Sequence, residues 1–128
     1  MLEPAYLALT AWRNAPFPTE VEFGLALDLT GKRLIMQLRL YDGADGAPLI
    51  NLSSDPTSGD RIEIISIDTE KPETVFAIRL GKGTHESLPK SGKAGKPVTF
   101  RHDILAGPIT FEELIAFGDY TLMPGVTR

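Results

Sequence analysis

The chain contains no cysteine, which excludes disulfides, thiolate metal ligands and a cysteine nucleophile. It has only two histidines and one tryptophan in 128 residues, so side chains for imidazole-based acid–base or metal chemistry are scarce. No apolar run approaches the ~20 residues that cross a bilayer as a helix. The opening MLEPAYLALTAW carries Glu3 and Pro4 where a secretory leader carries Lys or Arg, so a soluble protein made in the cytoplasm is expected. A surplus of positive charge is missing as well. Thirteen Lys and Arg stand against 17 Asp and Glu, a net charge of −4, so general binding to nucleic acid or to an anionic membrane is not expected.

What is present is a hydrophobic share of 42% with 23% charged residues, the balance of a globular protein able to bury a core. The length suits one domain, expected to span 1–128. Its dominant signal is period-two alternation in short blocks separated by Gly, Pro, Asp and Ser. Val21, Phe23, Leu25 and Leu27 share one face of EVEFGLALDL. Leu34, Met36, Leu38 and Leu40 share one face of RLIMQLRLY, with Arg33, Gln37 and Arg39 opposite. TVFAIRL and VTFRHDIL repeat the pattern, each reading as a half-buried strand. RIEIISI slips phase between Ile64 and Ile65, which fits either a β-bulge or a strand covered on both faces. With AYLALTAW, APLINLS and ELIAFGDYTLM the count reaches about eight strands, the cue for an all-β sandwich or barrel. The stretch TFEELIAF could hold a single helical turn capped by Thr110 and Glu113. The Gly-, Lys-, Ser- and Pro-rich segment at about 81–97 predicts a long, exposed, flexible loop.

The chemistry of the motifs is sparse. Gly31-Lys32 is followed by Arg33, lacks an upstream glycine at phosphate-loop spacing and runs into a strand, so no phosphate cradle is expected. DLTG reads instead as a turn, Gly31 supplying a positive φ and Asp28 or Thr30 bonding the turn backbone. His102 and Asp103 are adjacent and therefore point to opposite faces of a strand, while His85 falls in the loop and is expected in solvent. Use of His102 with Asp103 or Glu113 is the enzymatic alternative. DGADG and DPTSGD lack the spacing of a calcium loop. Trp12 and Tyr120 lie in apolar alternating strands and are expected in the core. No catalytic, cofactor-binding or metal-binding set emerges. Lys90, Lys93 and Lys96 make the loop locally basic on an acidic chain, a candidate interface.

Trp12-Arg13, Asp28-Leu29-Thr30-Gly31, Gln37-Leu38-Arg39, Phe100 through Ile104, Gly118-Asp119-Tyr120-Thr121-Leu122 and the closing PGVTR together resemble a pattern of small tailed-phage and prophage virion proteins, among them baseplate-upper-protein amino-terminal domains. The resemblance runs from about Trp12 to Arg128. It implies a single immunoglobulin-like antiparallel β-sandwich acting without catalysis as a structural or adaptor part of a particle, tail or baseplate. It also implies homo-oligomeric assembly with other virion proteins, a location in the virion or in host cytoplasm during assembly, and Arg39 as a contact residue. The alternative is a carbohydrate- or surface-binding module, which predicts at least two aromatics exposed on one face.

Overall fold

A computed structural model describes residues 4–18, 21–41, 46–89, 95–108 and 112–124. Among the described residues, nine strands and one short helix follow in the order β1 (Ala5–Tyr6), β2 (Leu9–Trp12), β3 (Glu22–Leu25), β4 (Arg33–Arg39), β5 (Ile50–Ser53), β6 (Arg61–Asp68), β7 (Glu73–Arg79), α1 (Lys82–Ser87), β8 (Val98–Gly107) and β9 (Glu113–Met123). They form a six-stranded sheet ordered β1-β9-β8-β4-β5, with β2 also on β9, and a three-stranded sheet ordered β3-β7-β6. The two sheets pack as a sandwich-like all-β fold.

The ninth strand arises because AYLALTAW is split. Ala5 and Tyr6 pair with Ala116 and Phe117, and Leu9 through Trp12 pair with Tyr120 through Met123. The register offset is the same on both sides of the break, so β1 and β2 are one interrupted strand. It runs parallel to β9, a departure from the otherwise antiparallel sheets that sequence alternation, blind to strand direction, does not reveal.

Alternation does place the core. Leu34, Met36 and Leu38 from β4, Phe100 and Ile104 from β8, and Tyr120 and Leu122 from β9 are buried against Ile62, Phe76 and Ile78 of the small sheet. Burial of each such side chain contributes about 1.5–3 kcal/mol. Phe76 stacks on Phe23 at 5.4 Å, and Phe17 bridges Phe23 to Tyr120 at 6.3 and 6.2 Å. Leu40 leaves this face: β4 ends at Arg39, and Leu40 is exposed in the hairpin that follows.

The phase slip in β6 is a β-bulge. Its pairing with β7 jumps between Ile64 and Ser66, which throws Ile65 outward. A second irregularity lies between Ile104 and Leu105 opposite β9, where Ile115 and Ala116 are buried in succession. TFEELIAF holds no helical turn from Glu113 onward, since β9 begins there; Thr110 lies outside the described residues. The DLTG turn is as expected. Gly31 has φ 75°, Asp28 Oδ1 accepts from the Thr30 amide at 3.0 Å, and Lys32 is exposed. Leu29 is buried beneath it, its amide donating to Thr74 Oγ1 at 3.2 Å.

Candidate functional site

The two outward faces of the sandwich differ in chemistry. On the three-stranded sheet, Glu63 accepts from Arg61 at 3.0 Å and from Arg79 at 3.1 Å, an ion-pair grid of a solvated surface. The guanidinium of Arg79 beside Glu63 holds its carboxyl below the usual carboxylate range. On the six-stranded sheet the outward face carries aromatic and aliphatic groups mixed with polar ones. Tyr6, Trp12, Tyr41 and Leu114 are all substantially exposed.

Register organises this second face into cross-strand rows. Gln37, Asp103 and Phe117 are opposed on β4, β8 and β9, and Tyr6 of β1 completes the row. The neighbouring row is Arg39, Arg101 and Asp119. Arg101 Nη1 donates to Asp119 Oδ1 at 2.5 Å and Tyr6 Oη to Asp119 Oδ2 at 3.3 Å. The Asp119 carboxyl is held below its ordinary range, chiefly by Arg101. The Tyr6 ring meets Phe117 edge-on at 5.5 Å. Arg39 Nη1 donates to Gly46 O at 2.7 Å, anchoring the β4–β5 hairpin. On this face lies a concavity of about 270 Å³, lined by Gln37, Arg39, Tyr41, Arg101, His102, Asp103, Leu114 and Phe117.

Arg39 therefore lines the concavity. Lys96 is exposed in the segment before β8 and falls outside that lining, while Lys90 and Lys93 lie outside the described residues. The segment at 81–97 is not a loop throughout, because Lys82–Ser87 form helix α1. Asp60 holds its start: Oδ1 accepts from the Gly81 amide at 2.9 Å, and Oδ2 from the Thr84 hydroxyl. Arg13 holds its end, donating to the carbonyls of His85, Leu88 and Pro89 at 3.1, 2.7 and 2.9 Å. Neither anchor is legible locally, since each partner is distant in sequence.

His85, expected in solvent, is fully buried. Its Nδ1 lies 2.7 Å from Ala15 O, and a carbonyl can only accept, so Nδ1 carries the proton. Its Nε2 then accepts from the Tyr120 hydroxyl at 2.6 Å. Tyr120 is in the core as expected, and burial pushes its phenol pKa up. Trp12, expected in the core, is half exposed, because its position in β2 alternates with buried Leu9 and Ala11. His102 is buried, its Nε2 donating to Leu7 O at 2.7 Å, and both it and Asp103 line the concavity. Glu113 sits opposite Ala106, far along β9 from Gly118, the partner of His102. Among the described residues, no three His, Asp or Glu side chains converge on a metal-sized site.

Both imidazoles have pKa values below the ordinary 6.5, chiefly through burial. Asp60 and Arg13 act in opposite senses on His85, as do Asp103 and Arg101 on His102. A folded pKa below the unfolded one means that the folded state favours the neutral ring. That contribution is complete above pH 6.5 and is lost as pH falls below it. Denaturation followed against pH is therefore expected to show stability declining from about pH 6.5, by at most about 1.4 kcal/mol per pH unit for each histidine. A curve flat from pH 7 to pH 5 would contradict this. Compared with known proteins, the chain matches no family model and no curated protein.

Proposed function

We propose that this chain is a non-enzymatic structural or adaptor module of a phage or prophage particle, associated with tail or baseplate. It joins neighbouring copies and other virion proteins through the amino-terminal edge of its six-stranded sheet. The observation that carries the reading is that edge: among the described residues β1 and β2 pair only with β9, and they present Tyr6 and Trp12 to the outside. An edge of unpaired backbone groups is a template for a further strand, and Tyr and Trp are the side chains that most often dominate protein interfaces. The motif resemblance and the engagement of both histidines in structural bonds support the same reading.

Trp12→Glu tests it, since that side chain is half exposed and its replacement leaves the core intact. Mass spectrometry of purified particles is expected to detect the wild-type protein as a particle component and to find the folded Trp12→Glu protein depleted about tenfold or more. Absence of the wild-type protein from particles would overturn the proposal.

A further inference from the structure

From the concavity on the outer face of the six-stranded sheet, we infer that the protein binds a pyranose sugar ring against Tyr41, Gln37 and Asp103. The inference goes beyond the assembly reading and does not depend on it.

A sugar ring needs two things of a site. Its hydroxyls each donate and accept, so they call for acceptors and donors of fixed direction. Its C–H face calls for an aromatic or aliphatic wall. The concavity offers both. Asp103 supplies a carboxylate, Gln37 an amide, and Arg39 and Arg101 guanidinium donors, while Tyr41, Leu114 and Phe117 supply aromatic and aliphatic surface.

Other ligand classes fit less well. A phosphate or other strong anion would meet Asp103 and the adjacent Asp119 beside the arginines. A purely apolar ligand would take polar atoms of Gln37, Arg39, Arg101 and Asp103 out of water and offer them no hydrogen bond of its own. At about 270 Å³ the space lies at the small end of ligand clefts, suited to one ring rather than a cofactor.

The polar groups are also pre-positioned. Gln37 and Asp103 are opposed across adjacent strands β4 and β8, as are Arg39 and Arg101 one row away. Asp119 further fixes Arg101, and Gly46 O fixes Arg39. Side chains locked on strands lose little freedom when a ligand arrives. Tyr41 is the adaptable member, standing at the hairpin end with its ring well exposed.

Trp12 of the proposed assembly edge is separable from the site, whereas Tyr6 of the same edge meets Phe117 directly. Trp12 pairs with Met123, six residues along β9 from Phe117, or roughly 20 Å at strand spacing.

The test is a backbone amide NMR titration of the whole protein with D-glucose, D-galactose, N-acetyl-D-glucosamine and L-rhamnose. Maltose and lactose are run in parallel. At least one sugar is expected to shift the amides of Gln37, Arg39, Asp103 and Phe117 while leaving Glu63 and Arg79 on the opposite face unmoved. A disaccharide that binds more tightly than its monosaccharide identifies the end of a glycan as the ligand, and equal affinities identify the free sugar.

Tyr41→Ala and Asp103→Asn are each expected to weaken binding about tenfold or more, and Lys32→Ala to leave it unchanged. Because Tyr41 is exposed, its variant tests the site even if Asp103→Asn perturbs folding. No shift at the concavity with any of the six sugars, or binding undiminished in Tyr41→Ala, would overturn the inference.

Discussion

Gly118→Ala is expected to destabilise the protein by about 3 kcal/mol or more, measured as a fall in the urea midpoint. Gly118 pairs with His102 at the point where the amino-terminal strand is interrupted. A Cβ there would overlap Leu7 O and approach the Leu7 carbonyl carbon to 2.8 Å, with the backbone already at φ 158°. Both obstructing atoms belong to the main chain of the neighbouring strand and cannot rotate away. Relief requires β1–β2 to move off β9. That displacement would break the bond from the Leu7 amide to Phe117 O at 2.7 Å and the one from His102 to Leu7 O, also 2.7 Å.

His102 Nδ1 is already without a hydrogen-bond partner among the described residues. Losing Leu7 would leave a buried imidazole with neither nitrogen paired, at a cost of about 1–3 kcal/mol. Hydrogen exchange at Ala5–Trp12 is expected to accelerate in the variant ahead of exchange in β4 and β8. A loss below about 1 kcal/mol with unchanged protection of these residues would show that the strand tolerates the methyl group.

Arg13→Ala is expected to cost about 2–3 kcal/mol, through the three carbonyls that its guanidinium now pairs. Two of those bonds are partly buried, so water replaces them poorly. Lysine is expected to recover only part of the loss, because a point charge cannot span carbonyls that a planar fork engages together. The effect should spread to His85, which α1 carries into the core. Arg13 also lowers the His85 pKa directly. In Arg13→Ala the His85 titration followed by NMR is expected to move up toward 6.5, with Tyr120 losing its partner. An unchanged His85 titration together with unchanged stability would mean that α1 is held by Asp60 and core packing alone.

These two residues mark where sequence reasoning succeeds and where it stops. Trp12-Arg13 is quotable as a motif, yet the role of Arg13 depends on residues 72 to 76 positions away. Gly118 reads as a turn or strand glycine until Leu7 is placed beside it. His85 looks solvated because it lies in a segment rich in Gly, Lys and Ser, and it is buried because Ala15 and Tyr120 receive it. Arg39 was legible as a face residue of β4, whereas all its neighbours in the concavity but Gln37 come from β8, β9 and the hairpin end.

The sequence by itself determined the alternating strands, the DLTG turn and most of the inward-facing residues, though not the exposure of Trp12 and Leu40 or the burial of His85, because alternation and turn chemistry act between residues close along the chain. It was enough to place Leu34, Met36, Leu38, Phe100 and Ile104 in the core and Gly31 in a turn. Only the tertiary structure decided that the first strand runs parallel to the last, that α1 delivers His85 to Tyr120, and that Tyr41, Gln37 and Asp103 surround one concavity. Those outcomes depend on which strands lie side by side and in what register. Such long-range pairing is set by the packing of the whole core and leaves no local periodicity to read.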